Sequence, residues 1–226
     1  MSRLLPGISV GCFALLALIT APPPSQAAET TGINQTLGLP QIRLSPASKR
    51  PADWKGQGML LVVLAGDTAD LAPFKTFGAQ ARLGWNEQGI VAWIEVSDSA
   101  PFESEDNERL YEGDSVALIV NGADPKDGQV EFVATAGGTA KQKIQRSVAV
   151  DHRTRAMRAL HGAAIGTAAL RRTKSGYVAQ LLVPWSNFGG AAKLGDSFGA
   201  RVTINGRETA TGPRSKLTFV LPGQEI

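Results

Sequence analysis

Carboxylates crowd residues 95–131, where eleven acidic side chains stand against two basic ones. They are Glu95, Asp98, Glu103, Glu105, Asp106, Glu108, Glu112, Asp114, Asp124, Asp127 and Glu131. Ca²⁺ prefers such hard oxygen donors and takes six to eight of them. Asp98 and Asp114 flank the central loop, so we expect them to be the best-anchored ligands of a calcium site. The spacing matches no EF-hand, and a solvated acidic loop is the alternative interpretation.

The same carboxylates carry no specific sign of catalysis. A glycoside hydrolase needs two facing carboxylates about 5–10 Å apart, and many pairs in this segment satisfy that condition by sequence. The sequence contains no Ser-His-Asp pattern, phosphate-binding loop or dinucleotide motif. We therefore expect a non-catalytic protein.

A second set of residues has the chemistry of a sugar site. Such a site needs an aromatic face, against which the C–H surface of the sugar stacks, and polar groups for the hydroxyls. Tyr111 follows the acidic loop, and Arg201, Thr203 and Asn205 alternate with apolar residues, so these three share one strand face. We expect Tyr111 to be the stacking platform and the three polar residues to line a groove beside it. A solvated sheet face is the alternative for the polar trio.

Positive charge is concentrated in residues 141–174, where nine basic residues face only Asp151. This block sums to +8 and the acidic segment to −9, whereas the whole chain carries only +3. The block is expected to be solvated or paired with the acidic segment, and binding of an anionic glycan or a membrane surface is the alternative. Nucleic acid is not expected, because few aromatic residues are available to interleave with bases.

Histidine and cysteine are too scarce for most metal centres. With two histidines and one cysteine, Cys12, the chain has neither a three-His site nor a cysteine-based zinc site. The candidate axial ligands for haem are Met59, Met157, His152 and His161. A periplasmic haem-binding or electron-transfer domain is therefore one alternative function, and a structural adaptor of an envelope complex is another.

Residues 1–28 predict a secretory signal peptide. Arg3 gives a positive start, residues 13–19 form an apolar core, and small residues permit cleavage near Ala27 or Ala28. The apolar run is too short for a bilayer span of about 20 residues, and Cys12 lies away from the position a lipid-bearing cysteine would take. We expect a secreted or periplasmic protein without stable membrane insertion, beginning with a flexible segment at 29–50.

Short apolar runs between turn residues predict the elements that hold these side chains. Strands are predicted at residues 59–65, 79–85, 90–96, 114–120, 129–135, 177–184, 197–205 and 216–221. Residues 144–150 predict a further strand, or else residues 154–160 form a short helix. All four tryptophans, Trp54, Trp85, Trp93 and Trp185, are expected to pack in the core. The pattern predicts an all-β, jelly-roll-like antiparallel β-sandwich, with one domain over residues 51–226.

Three segments, in order, resemble family 9 carbohydrate-binding modules. Residues 81–98 resemble the family's strand, Trp-Asn turn, strand and closing Asp, and Tyr111 to Val120 resembles its aromatic-x-x-Asp-Ser-Val strand. Residues 176–185 followed by 194–205 are similar to its Gly-Tyr strand, Pro-Trp turn and late Gly-Asp segment, and Asp53-Trp54 to its opening signature. The resemblance spans roughly residues 50–221. It implies a sandwich that binds sugars, often with calcium, and assists polysaccharide catabolism. Such modules are usually attached to a glycoside hydrolase, so the resemblance implies that any hydrolase activity belongs to a partner protein.

The chain departs from the family at the positions that contact sugar. Tyr111 stands where the family has its platform Trp, and Ala117 where it has a Glu that binds hydroxyls. Val133 and Thr135 replace an Arg and an Asn, and Thr203 stands where a Gln is common. The resemblance therefore implies a retained scaffold with altered ligand contacts.

Overall fold

The computed structural model describes residues 39–43, 51, 54, 56–63, 77–123, 128–139, 141–151, 156–159, 166–192, 196–212 and 214–222. Contacts divide the chain into units of residues 1–34 and 35–226, and every described residue belongs to the second. The predictions for the signal peptide, Cys12, His152 and His161 lie outside the described residues. In the part of the chain that is described, no helix is long and apolar enough to cross a membrane.

The described elements are strands and two short 3-10 helices. The strands are β1 (Met59–Leu60), β2 (Val62–Val63), β3 (Gly78–Trp85), β4 (Gly89–Ser97), β5 (Ser115–Asn121), β6 (Gln129–Thr135), β7 (Arg146–Asp151), β8 (Ala156–Ala159), β9 (Thr167–Arg172), β10 (Gly176–Pro184), β11 (Gly199–Arg207) and β12 (Arg214–Val220). The 3-10 helices are Leu110–Glu112 and Trp185–Phe188. The predicted all-β class is confirmed.

The strands form two sheets whose named pairs are all antiparallel. The five-stranded sheet has the order β1-β3-β4-β10-β9, and the seven-stranded sheet has the order β2-β12-β11-β5-β6-β7-β8. Alternate residues of each strand point into the space between the sheets, as in Ile90, Ala92, Ile94 and Val96 of β4, which are all buried in one apolar core. The predicted sandwich is therefore the observed architecture.

Tertiary pairing overturned one local prediction and decided between two alternatives: the strand predicted at residues 144–150 is observed as β7, and the short helix at 154–160 is not. The apolar run beginning at Met59 is not one strand, because β1 pairs with β3 in one sheet while β2 pairs with β12 in the other. Leu61, which is buried, makes the crossing between them. Residues 156–159 form a strand rather than a helix, since the open edge of β7 supplies hydrogen-bond partners that local helical propensity does not outweigh.

The N-terminal residues cover part of the outer face of the five-stranded sheet. Ile42 and Trp54 form a small buried cluster with Val91 and Leu182, and the Trp54 indole N–H donates to the Gln180 side-chain oxygen at 3.2 Å. A methyl group on Gly84 would come within 2.6 Å of Ile42 Cγ2. The absence of a side chain at Gly84 therefore lets the N-terminal residues lie directly on the sheet.

Candidate functional site

The outer face of the seven-stranded sheet carries the positions at which the family resemblance expects sugar contacts. Strand register places Thr203, Ala117, Val133 and Val148 side by side across β11, β5, β6 and β7. Leu110 packs on Ala117, Val133 and Val148, and all four are buried in a separate apolar cluster. Ala117 and Val133, which stand where the family has polar residues, therefore form part of the apolar surface on which Leu110 packs. Leu110 belongs to the segment of residues 98–114, which we call the covering loop.

Backbone hydrogen bonds to one carboxylate hold the two ends of the covering loop near each other. Asp114 accepts the backbone N–H of Arg207 at 2.8 Å, and its other oxygen accepts the backbone N–H of Phe102. Gly113 lies so close to the backbone of Ser104 that a Cβ atom would collide with it. The loop therefore folds back on itself at the point where β5 begins.

The Glu103 side chain ties the covering loop to both sheets. Its carboxylate is fully buried and accepts the Gly137 backbone N–H and an Arg172 N–H, both at 2.8 Å, while Arg146 lies 3.7 Å away. Arg172 belongs to β9 of the five-stranded sheet and Arg146 to β7 of the seven-stranded sheet. Burial raises the pKa of Glu103, and the charge of Arg172 opposes that rise.

These contacts join the acidic and basic segments of the sequence. Arg172 also donates to the Gly137 carbonyl at 2.6 Å, and Arg146 donates to the Ser104 carbonyl at 2.5 Å. An exposed ion pair between Lys141 and Glu105, at 2.5 Å, is a third contact between a basic residue of the basic block and the covering loop. The prediction that the basic block pairs internally is confirmed for these residues.

Tyr111 is displayed on the outer surface of the anchored loop. It is 42% exposed, whereas its neighbour Leu110 is fully buried. Arg109 forms an ion pair with Glu112 at 3.3 Å, and Arg207 donates to the Glu112 carbonyl at 3.1 Å. The arrangement presents an aromatic side chain among charged and hydrogen-bonding groups, as a sugar platform requires.

The predicted polar trio does not form one exposed surface. Thr203 is buried, and its hydroxyl has no hydrogen-bond partner among the described residues. Asn205 donates to the Ser115 hydroxyl at 3.0 Å, close to the start of β5. Arg201 is exposed, but it lies four residues earlier, about 13 Å along the strand. Arg109 and Glu112 are sequence neighbours of Tyr111 and pair with each other, whereas only the fold brings Arg207 to the same turn, through the Glu112 carbonyl.

Asp98 and Asp114 are both buried, one directly after β4 and the other directly before β5. Burial and, next, the charge of Asp98 raise the pKa of Asp114 to about 8. The buried Tyr177 hydroxyl has no hydrogen-bond partner in the described ranges. Burial, followed by the charges of Asp114 and Asp98, raises the pKa of Tyr177. At neutral pH Asp114 is therefore mostly protonated, and a cation bound between the two aspartates would have to displace that proton.

The donor set of such a cation would extend beyond side chains. Over the described ranges, no group of three His, Cys, Asp or Glu residues is placed to hold a metal. Two carboxylates fit Ca²⁺ chemically, and backbone carbonyls and water commonly complete its shell.

Of the candidate haem ligands, Met59 packs partly buried against the core. The histidines and the Met157 side chain lie outside what is described.

No protein-family model matches the chain, and no curated protein matches it. Two solved structures of a family 9 carbohydrate-binding module from Caldicellulosiruptor kristjanssonii are similar in fold. The complex with cellotriose has a TM-score of 0.46 at 11% identity and covers 66% of this chain and 67% of that one. The complex with glucose has a TM-score of 0.41 at 12% identity and covers 66% and 69%.

A candidate carbohydrate-binding protein from Bacteroides uniformis ATCC 8492 is also similar. Its TM-score is 0.49 at 16% identity, and the match covers 75% of this chain and 78% of that one. These likenesses concern the fold alone. The ligand contacts of this chain therefore have to be derived from its own residues.

Proposed function

We propose that this chain is an exported, non-catalytic glycan-binding module in which Tyr111 is the stacking platform. The observation that carries the proposal is the exposure of Tyr111 on a loop whose other parts are anchored by buried contacts. An apolar aromatic side chain left at 42% exposure can still gain free energy by stacking on a sugar. The ordered sequence motifs that resemble family 9 modules support the same class of function.

Anchoring of the covering loop favours binding because little conformational entropy remains to be lost. Leu110 is buried against the sheet beneath Tyr111, and Glu103 and Asp114 fix the chain on either side of it. A platform that is rigid before the ligand arrives loses less free energy on ordering than a mobile one. Arg109 and Glu112 then offer a donor and an acceptor for sugar hydroxyls next to the ring.

The proposal includes a calcium ion held by Asp98 and Asp114. The ion would replace the proton that the raised pKa keeps on Asp114 at neutral pH, and it would join the end of β4 to the start of β5, which are the two ends of the covering loop. It would therefore stabilise the loop that carries Tyr111 without contacting the sugar. Export to the periplasm or the medium and a role in polysaccharide catabolism are parts of the same proposal, supported by the apolar leader and by the family resemblance.

A glycan array probed with wild type, Tyr111→Ala and Ile144→Ala tests the function. Ile144 is a matched control, because it is another exposed large apolar residue, at 71%. We expect wild type and Ile144→Ala to bind the same glycans, and Tyr111→Ala to lose about tenfold in affinity, the equivalent of one stacking contact. Absence of glycan binding by wild type would refute the function, and full binding by Tyr111→Ala would refute the platform.

A further inference from the structure

Among the described residues, the outer face of the five-stranded sheet, opposite the face that carries Tyr111, is only partly covered. The buried cluster of Ile42, Trp54, Val91 and Leu182 occupies one end of it. Trp93 packs against that cluster from the side and remains only half-buried. Because it alternates with Ile94 of the core, its indole belongs to the outer face rather than to the space between the sheets. Trp93 therefore packs against this outer cluster as a partly buried residue, and not in the space between the sheets.

Strand register surrounds Trp93 with an apolar residue and both types of hydrogen-bonding group. Leu60 of β1, Arg82 of β3 and Trp93 of β4 form one row across the sheet. Gln80 and Glu95 form the adjacent row, and the Gln80 amide donates to the Glu95 carboxylate at 3.0 Å. We call these five residues the Trp93 patch.

The Trp93 patch is accessible to a ligand. Leu60 is 47% exposed, Gln80 is exposed, and Arg82, Trp93 and Glu95 are half-buried. Arg82 keeps its side chain on the surface by donating to the Gly58 carbonyl at 3.4 Å. Strand spacing and residue rise give the patch a span of about 10 Å by 7 Å, the dimensions of a small saccharide.

We infer that the Trp93 patch is a second glycan site, on the opposite sheet from Tyr111. An indole face stacks on the C–H surface of a pyranose ring, and Leu60 extends that apolar surface. Arg82 offers donors, Glu95 offers acceptors and Gln80 offers both, the set that vicinal hydroxyls require. Since Arg82 and Glu95 cancel in charge, the patch selects a neutral sugar rather than an anionic one. The inference rests on the proposed glycan-binding function, but it does not require Tyr111 to contact the ligand.

Two sites on opposite sheets have a functional consequence. A module that engages a polymer through both faces can bridge neighbouring chains or gain avidity on a dense surface. Binding to a soluble oligosaccharide would show two independent sites, while binding to an insoluble polysaccharide would be stronger than either site alone provides.

Affinity electrophoresis of the purified protein tests the inference, with neutral probes (hydroxyethylcellulose, xylan, laminarin, galactomannan) and anionic ones (polygalacturonate, alginate). The variants are Trp93→Ala, Glu95→Gln and Tyr111→Ala. Trp85→Phe is the matched control, because Trp85 is a half-buried tryptophan of the adjacent strand whose indole N–H is satisfied by the Leu39 carbonyl at 2.7 Å. We expect Trp93→Ala to weaken binding to a neutral probe about tenfold. Glu95→Gln should weaken it less, and Trp85→Phe should leave it unchanged.

The outcomes separate this inference from the proposed function. If wild type binds none of the probes, the proposed function fails and this inference with it. If Tyr111→Ala abolishes all binding while Trp93→Ala and Glu95→Gln bind as wild type, only the second site is refuted. If wild type self-associates in sedimentation and Trp93→Ala abolishes that association without changing glycan binding, the patch joins copies of this chain and the inference is wrong. Should Trp93→Ala not fold, Glu95→Gln and Gln80→Ala decide, since both change surface polar groups only.

Discussion

Replacement of Glu103 by alanine should release the covering loop. The carboxylate is fully buried, and its removal leaves the guanidinium groups of Arg146 and Arg172, 11% and 25% exposed, without their anionic partner. Removing one partner of a buried ion pair costs about 3–5 kcal/mol. Because Arg172 retains partial access to water, we expect the lower end, about 3 kcal/mol of unfolding free energy. For a domain of this size that loss lowers Tm by roughly 6–12 °C.

Urea denaturation of Glu103→Ala gives the free energy, and hydrogen exchange of residues 98–114 reports the state of the loop. We expect faster exchange there than in wild type, because the Gly137 N–H and Arg172 no longer bind a carboxylate of the loop, and Arg146 keeps only its bond to the Ser104 carbonyl and its contact with Asn107. Glu105→Ala is the matched control, since it lies on the same loop, but its pair with Lys141 is exposed and should leave stability unchanged. Equal stabilities of the two variants, or unchanged exchange in the loop, would refute the role of Glu103 as its anchor.

The remaining predictions concern the other supports of the platform. Leu110→Ala should cost about 2–4 kcal/mol in urea denaturation, because it empties the buried cluster with Val133 and Val148, and a loss below about 1 kcal/mol would show that the cluster is not what seats the loop. Calcium should raise Tm and a chelator should lower it, and Asp114→Asn should abolish that shift. A calcium response that survives Asp114→Asn would place the ion elsewhere, and no response in wild type would contradict the calcium proposal.

Alternation of apolar and polar residues was sufficient to predict most strands. The bounds of β6 were predicted to the residue, and those of β3, β4 and β10 to within one residue, because each strand has one face in the core and turn residues at its ends. Periodicity failed at Met59, where the chain leaves one sheet for the other. A run of apolar residues does not show with which strand, or in which of the two sheets, each part of the run will pair.

The candidate sites were less predictable than the fold. Exposure of Tyr111 agrees with its assignment as a platform, but the sequence could not show that Thr203 is buried or that Arg201 lies far along the strand. Trp93 was expected to pack in the core, and it packs partly buried against the cluster on the outer face, because a β-rich segment does not say which face of its sheet is open. Local patterns state which residues share a face, but what covers that face depends on contacts distant in sequence.

Composition and patterning thus determined the class of fold, the alternation of its strands and the opposite charges of its two blocks. Only the tertiary structure decided that those charges meet at Glu103, that Leu110 closes the row containing Ala117 and Val133, and that Tyr111 and Trp93 are displayed on opposite sheets. The reason is that burial and pairing are properties of the packed chain. Arg146 and Arg172 lie 43 and 69 residues from Glu103 in the sequence, and only the closure of one sheet over the other brings them together.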